Sequence, residues 1–166
     1  MRVRIVTSAR LHLGFYNFRR GDHVYGSIGV AIDKPVLDVV LEPSDRMVME
    51  KPPDLDIGDV LKTVQRIYKI GAKVSIRSAI PRHVGLGSTT QLVLALGVGL
   101  ALLSNPYASI DVYDLATKLG RGFVSGIGIA AFKYGGFIVD SGRKLRDGRL
   151  TTPSTPQEVP QPIVLY

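Results

Sequence analysis

The sequence predicts an α+β domain in which a mixed sheet packs against helices, and three observations predict it. Runs of alternating apolar and polar residues dominate the first 43 positions, the period of strands with one buried face. Apolar residues then recur at helical spacing over 55–68 and 109–120, and a long apolar segment spans 92–103. Period-two runs return at 72–80 and 137–140, so strands and helices are interleaved. With 166 residues, 45% of them hydrophobic, the chain can bury a core without disulfide or metal staples.

Each element has a local reason. "RVRIVT" (2–7) alternates strictly and reads as the first strand. "SIGVAID" (27–33) and "VLDVVLE" (36–42) read as two more, separated at Lys34-Pro35 because proline lacks the amide a ladder needs. "DRMVME" (45–50) is a short fourth strand, which "KPPD" ends. Leu55, Val60, Leu61, Val64, Ile67 and Tyr68 mark a helix that Gly71 stops. "AKVSIRSAI" (72–80) is a strand leading into a glycine loop, and the next helix begins near Ser88. Its apolar run, Leu92 to Leu103, falls short of the roughly 20 residues that cross a bilayer, so it reads as buried. "SIDVYDLATKLG" (109–120) is a helix with Ser109 as N-cap and Gly120 as stop. A closely packed helix of small residues starts near Ser125, and Gly135-Gly136 turn it into the strand 137–140. The polar segment 141–162 reads as a surface loop or linker before the strand-like "IVLY". We expect residues 1–142 to form one domain and 143–166 to be a linker and the start of a further C-terminal domain absent from this chain.

Composition narrows the function. Without cysteine there is no disulfide, no cysteine-ligated zinc or iron–sulfur site and no thiol nucleophile, and a cytoplasmic location is expected. The N-terminus lacks the continuous apolar core of a secretory signal, and no membrane partner is expected. Lysine plus arginine exceeds aspartate plus glutamate by 21 to 14, a net charge of +7 that suits a polyanion. The basic residues are scattered from Arg2 to Arg149 and tryptophan is absent, which favours a phosphorylated small molecule over nucleic acid.

The stretch "IPRHVGLGSTTQLVLALG" (80–97) has the parts of an anion cradle. Gly85 and Gly87 permit close backbone approach, and Ser88 opens a helix whose free N–H groups face the loop. Ser88, Thr89 and Thr90 add hydroxyls, of which one can join a magnesium shell beside phosphate oxygens. The same residues also suit a serine-capped turn that only starts a helix. The loop has neither the lysine of G-x-x-x-x-G-K-[ST] nor the spacing of G-x-G-x-x-G.

Pro81, Gly85, Leu86, Gly87, Ser88 and Thr89 fill the pattern P-x-x-x-G-L-G-S-[ST], and in this the segment resembles the second motif of the GHMP kinase superfamily. The resemblance implies the GHMP-kinase N-terminal fold, a ribosomal-protein-S5-domain-2-like mixed sheet packed against helices. Together, "SARLHLGFY" (8–16), "HVGLGSTTQ" (83–91) and "SGIGIAAFKYGGFIVDSG" (125–142) resemble a narrower family, the archaeal beta-ribofuranosylaminobenzene 5'-phosphate synthases of methanopterin biosynthesis. That family implies condensation of phosphoribosyl diphosphate with para-aminobenzoate or para-hydroxybenzoate, releasing carbon dioxide and pyrophosphate. Two departures from the kinase pattern agree with it. Gly128 in "SGIG" stands where kinases of the S-G-x-D type keep a catalytic aspartate, and "RLHLG" replaces the acidic G-E-H-x-D segment with Arg10 and His12.

The resemblance implies that Gly85, Leu86, Gly87, Ser88 and Thr89 bind the diphosphate, with magnesium shared between it and Ser88. Arg10 is expected to pair with a phosphate or the aromatic carboxylate, and His12 to shuttle a proton or orient that carboxylate. Arg82, His83, Gln91, Ser125, Gly126 and Gly128 are expected around the substrate cleft. Asp140 reads as a turn residue or a magnesium ligand. An ATP-dependent small-molecule kinase and a noncatalytic RNA-binding module are the alternatives, and the first reading is compatible with a homodimer.

Overall fold

The computed structural model describes residues 1–17 and 21–166. In chain order the elements are β1 (Val3–Tyr16), β2 (His23–Val24), β3 (Gly26–Pro43), β4 (Val48–Glu50), α1 (Gly58–Gln65), β5 (Ala72–Ser78) and α2 (Ser88–Ser104). There follow α3 (Val112–Lys118), α4 (Ile127–Lys133), β6 (Phe137–Asp140), β7 (Arg143–Arg146), β8 (Arg149–Leu150), a 3-10 turn (Pro156–Glu158) and β9 (Pro162–Leu165).

The long strand β3 is the spine of a six-stranded mixed sheet. On one side β1 pairs with it antiparallel along its whole length, from Val3 opposite Leu41 to Tyr16 opposite Gly26. On the other side β5 pairs with its second half and β6 with its first. β4 joins β5 in parallel, and β9 joins β6 antiparallel. The stretches expected as two strands are therefore one, and so are "RVRIVT" and the following "SARLHLGFY". Between Ser8 and Ala9 the partner jumps from Val36 to Ile32, so residues 33–35 bulge out around the proline without ending the strand.

The helices cover one face. α2 and α4 lie on β1 and β3, while α1 and α3 pack against α2. α2 is buried nearly all round, with Leu94, Leu96 and Leu100 in the core beside Val39 and Leu41 of β3. Its glycines permit this fit: a Cβ on Gly99 would come 2.5 Å from Leu41 Cδ1, and one on Gly97 would come 2.8 Å from Leu119 Cδ1. α1 is shorter than the periodicity predicts. The cap of α3 is Asp111 rather than Ser109, because its carboxylate accepts from the amides of Tyr113 and Asp114. The segment expected as a polar loop folds back instead: β7 and β8 form a small ribbon with β2, Val159 is buried in the core, and β9 extends the sheet. Among the described residues, no helix is long and apolar enough to cross a membrane.

Candidate active site

The glycine loop is docked on β1 by Arg10. The Arg10 amide donates to Leu86 O at 3.1 Å, and Nη1 donates to Gly85 O at 2.6 Å. The side chain lies flat on Gly87, where a Cβ would sit 3.1 Å from Arg10 Cγ, Nε and Cζ. Gly85 and Gly87 have φ of 84° and 78°, in the left-handed region that glycine alone enters cheaply. His83, at φ 62°, shares that conformation. Gly87 is the N-cap of α2, and no side chain caps the helix. Ser88 is thus the first helical residue rather than a capping serine, and the positive end of the α2 dipole is left to the loop.

Beside this loop opens a cleft of about 350 Å³. Arg10, His12 and Phe15 form its strand wall, and Thr90 contributes from the first turn of α2. The opposite wall is the α3–α4 connection, Gly120 to Ser125, with Gly128 and Ile129 of α4. The connection is shaped by a glycine stop: the Gly120 amide donates to Thr117 O at 3.0 Å and the Arg121 amide to Ala116 O at 2.8 Å. This double bond turns the chain sharply and sets Arg121 in the cleft wall.

The electrostatics are one-sided, since among the described residues no aspartate or glutamate lines the cleft. Burial pushes the Arg10 and Arg121 guanidinium groups below their usual range, in Arg121 with some opposition from Asp59. His12 is also lowered, first by burial and then by the Arg10 charge, against an opposing pull from Asp140. Among the described residues, the buried Nε atoms of both arginines and Nε2 of His12 have no hydrogen-bond partner. The His12 ring stacks obliquely on Phe15 at 4.5 Å.

Under the cleft lie two buried brackets. Gln91 accepts from Thr7 Oγ1 at 2.6 Å and donates to Gly128 O at 2.8 Å, tying β1, α2 and α4 together. Asp140 accepts from the amides of Ser27 (2.9 Å), Gly142 (3.0 Å) and Gly126 (2.9 Å) and from Ser125 Oγ (3.3 Å). The carboxylate is therefore spent on the backbone, as a turn residue's would be.

The structure brings Arg10, His12, Ser125 and Gly128 to one cleft and places the other expected cleft residues elsewhere. Arg82 holds both carboxylate oxygens of Asp59, at 3.2 and 3.1 Å, and also Asp56 O. With His83 it borders a separate cavity of about 490 Å³. Gln91 is fully buried and engaged at both ends of its amide, and Gly126 faces Pro160 O, which a Cβ would approach to 2.2 Å. Ser88 is buried and borders Leu37, Ile80 and Leu92. Thr90 lines the cleft in its stead.

The residue most missed by sequence reasoning is Arg121. Its one signal was its position between Gly120 and Gly122, in the connection after a helix stop. Among the described residues, no group of three His, Asp or Glu side chains gathers as metal ligands. Two guanidiniums and an imidazole do not fit a protein-held magnesium shell, which takes oxygen donors.

Residues 57–136 match the family model described as the GHMP kinases N terminal domain. The chain is 35% identical over 161 residues to the Beta-ribofuranosylphenol 5'-phosphate synthase of Methanocaldococcus jannaschii, covering 87% of this chain and 48% of that protein. It is 36% identical over 177 residues to the synthase of the same name from Methanothermobacter thermautotrophicus, covering 97% and 52%. The chain spans about half the length of these relatives. Among solved structures, Streptococcus pneumoniae phosphomevalonate kinase superposes with a TM-score of 0.60 at 16% identity, over 87% of this chain and 49% of that one. A 4-(cytidine 5'-diphospho)-2C-methyl-D-erythritol kinase does so with a TM-score of 0.59 at 19% identity, over 99% and 56%. The matched span contains the glycine loop and α1 to α4, and over it the chain is similar to the GHMP kinases N terminal domain, whose fold the solved kinases share.

Proposed function

We propose that this chain is the phosphate-binding half of a synthase that joins phosphoribosyl diphosphate to para-hydroxybenzoate, with loss of carbon dioxide and pyrophosphate. The observation that carries this reading is a cleft lined by Arg10, His12 and Arg121 with no carboxylate among its walls. The relatives' name contains ribofuranosylphenol, which supports para-hydroxybenzoate, rather than para-aminobenzoate, as the aromatic acid in this reading.

The chemistry suits such a cleft. The bond from ribose C1 to the diphosphate oxygen breaks, and its electron pair leaves with the diphosphate. The ring carbon bearing the carboxylate bonds to C1, and the carbon–carboxylate pair returns to the ring as carbon dioxide departs. No proton is taken from the attacking carbon, so no aspartate is required at position 128. Gly128 also has little room for one, since a Cβ there would already meet Thr90 Cγ2 at 3.1 Å. His12, held toward its neutral form, can accept the phenol proton as the ring gives electrons to C1, and return it to the phenolate as loss of carbon dioxide restores the aromatic ring. Phe15, Phe123 and Val124 offer an apolar seat for the ring. Magnesium would travel on the diphosphate's own oxygens, where it neutralises leaving-group charge.

Full-length protein incubated with phosphoribosyl diphosphate and carboxyl-labelled para-hydroxybenzoate should release labelled carbon dioxide without ATP. ATP consumption with no label released would establish the kinase reading instead. Because the chain spans about half the length of those synthases and both substrates must be held together, residues 1–166 alone should retain less than about one-tenth of that rate.

A further inference from the structure

The loop at 83–90 lacks the lysine that other phosphate loops aim at their ligand, yet the cleft contains a cation supplied from a distant part of the chain. We infer that Arg121 is a binding residue for the diphosphate, closing on it from the α3–α4 connection while Arg10 holds the loop side. This deepens the proposed function and rests on it for the identity of the leaving group, but the anion site itself does not.

Three observations converge. Arg121 is half-buried, with its Nε buried and unpartnered, and among the described residues it forms no ion pair, although the Asp59 charge acts on it without contact. A guanidinium partly withdrawn from water without a paired carboxylate is costly, and a ligand that supplies the contact charge relieves that cost. Among the described residues, the Arg10 guanidinium across the same cleft donates to one carbonyl oxygen and forms no ion pair, so it too keeps its positive charge unpaired. Third, the backbone that carries Arg121 is fixed by two hydrogen bonds of the glycine stop, so the side chain is presented from a rigid turn.

Chemistry chooses between the two anions the substrates offer. A guanidinium fork on the aromatic carboxylate would hold charge that must leave as neutral carbon dioxide, and so would oppose the reaction. On the diphosphate the same fork gains strength as the C1–O bond breaks and charge builds on the leaving oxygen. The fork also matches phosphate bidentately, which an ammonium cannot.

The test uses inorganic pyrophosphate and the full-length protein, by calorimetry at fixed ionic strength. Arg121→Gln should weaken pyrophosphate binding by about 10- to 100-fold, and Arg121→Lys by a smaller factor. Melting of the unliganded protein should be unchanged or raised in Arg121→Gln, whereas the upward shift given by pyrophosphate should vanish. Pyrophosphate affinity within twofold of wild type in Arg121→Gln would overturn the inference. A lower unliganded melting temperature that accounts for the lost binding, with Arg121→Lys equally impaired, would overturn it too. Label release is measured separately, so loss of pyrophosphate binding in Arg121→Gln beside an absence of carbon dioxide release in wild type leaves the anion clamp standing and removes the synthase reading.

Discussion

Asp140 and Arg121 both carry a formal charge into the protein, and their surroundings differ completely. Asp140 is 1% exposed and receives four hydrogen bonds, three of them from backbone amides. Arg121 has a buried Nε with no partner and no carboxylate beside it in the cleft wall. The first charge is consumed in holding the chain together; the second is left over for something outside it. A buried charge therefore marks a binding site when its partners are absent, and marks architecture when they are complete.

The comparison can be broken most directly at Asp140. Asp140→Ala leaves the amides of Ser27, Gly126 and Gly142 without their acceptor, and should cost about 4 kcal/mol of stability in denaturant unfolding. A cost below about 1 kcal/mol would show that the bracket is dispensable. Next in size is Gln91→Leu, which strands the Thr7 hydroxyl and the Gly128 carbonyl and should cost about 2 kcal/mol. It should also loosen the cleft, because those two partners lie on β1 and α4, the elements that carry Arg10 and Gly128.

The smallest effect belongs to the functional side. His12 has a folded pKa below its ordinary 6.5, so the unfolded chain binds more protons as pH falls through that value. Stability should decline modestly below about pH 6.5 on this account, and His12→Gln should flatten that part of the profile. Pyrophosphate should oppose the decline, since an anion in the cleft favours the charged imidazole. A profile unchanged by His12→Gln would show that the imidazole remains solvated in the folded chain.

The two regions were not equally legible beforehand. The glycine loop's shape could be read from its residues because it lies in the backbone: glycines at 85 and 87 are a local demand for left-handed conformations, visible in any chain that carries them. Arg121 and Phe15 were not legible, because nothing local distinguishes a surface arginine from one aimed into a cleft. The same limit misplaced Arg82, whose neighbour in sequence is the glycine loop but whose partner in space is Asp59 on α1. It also put Gln91 at the cleft surface, although Thr7 and Gly128, 84 and 37 residues away, hold it beneath.

Periodicity and glycine placement thus determined the α+β class, the order of elements and the loop at the start of α2, since these follow from each residue's own conformational preference and from one-dimensional pattern. Tertiary structure alone decided that β3 runs unbroken past its proline, that β9 returns to the sheet after the β7–β8 ribbon, and that two arginines and a histidine share a cleft without an acid among the described residues. Those outcomes depend on long-range pairing and on which charges find partners, and free energies of that kind are set by neighbours that the linear order does not name.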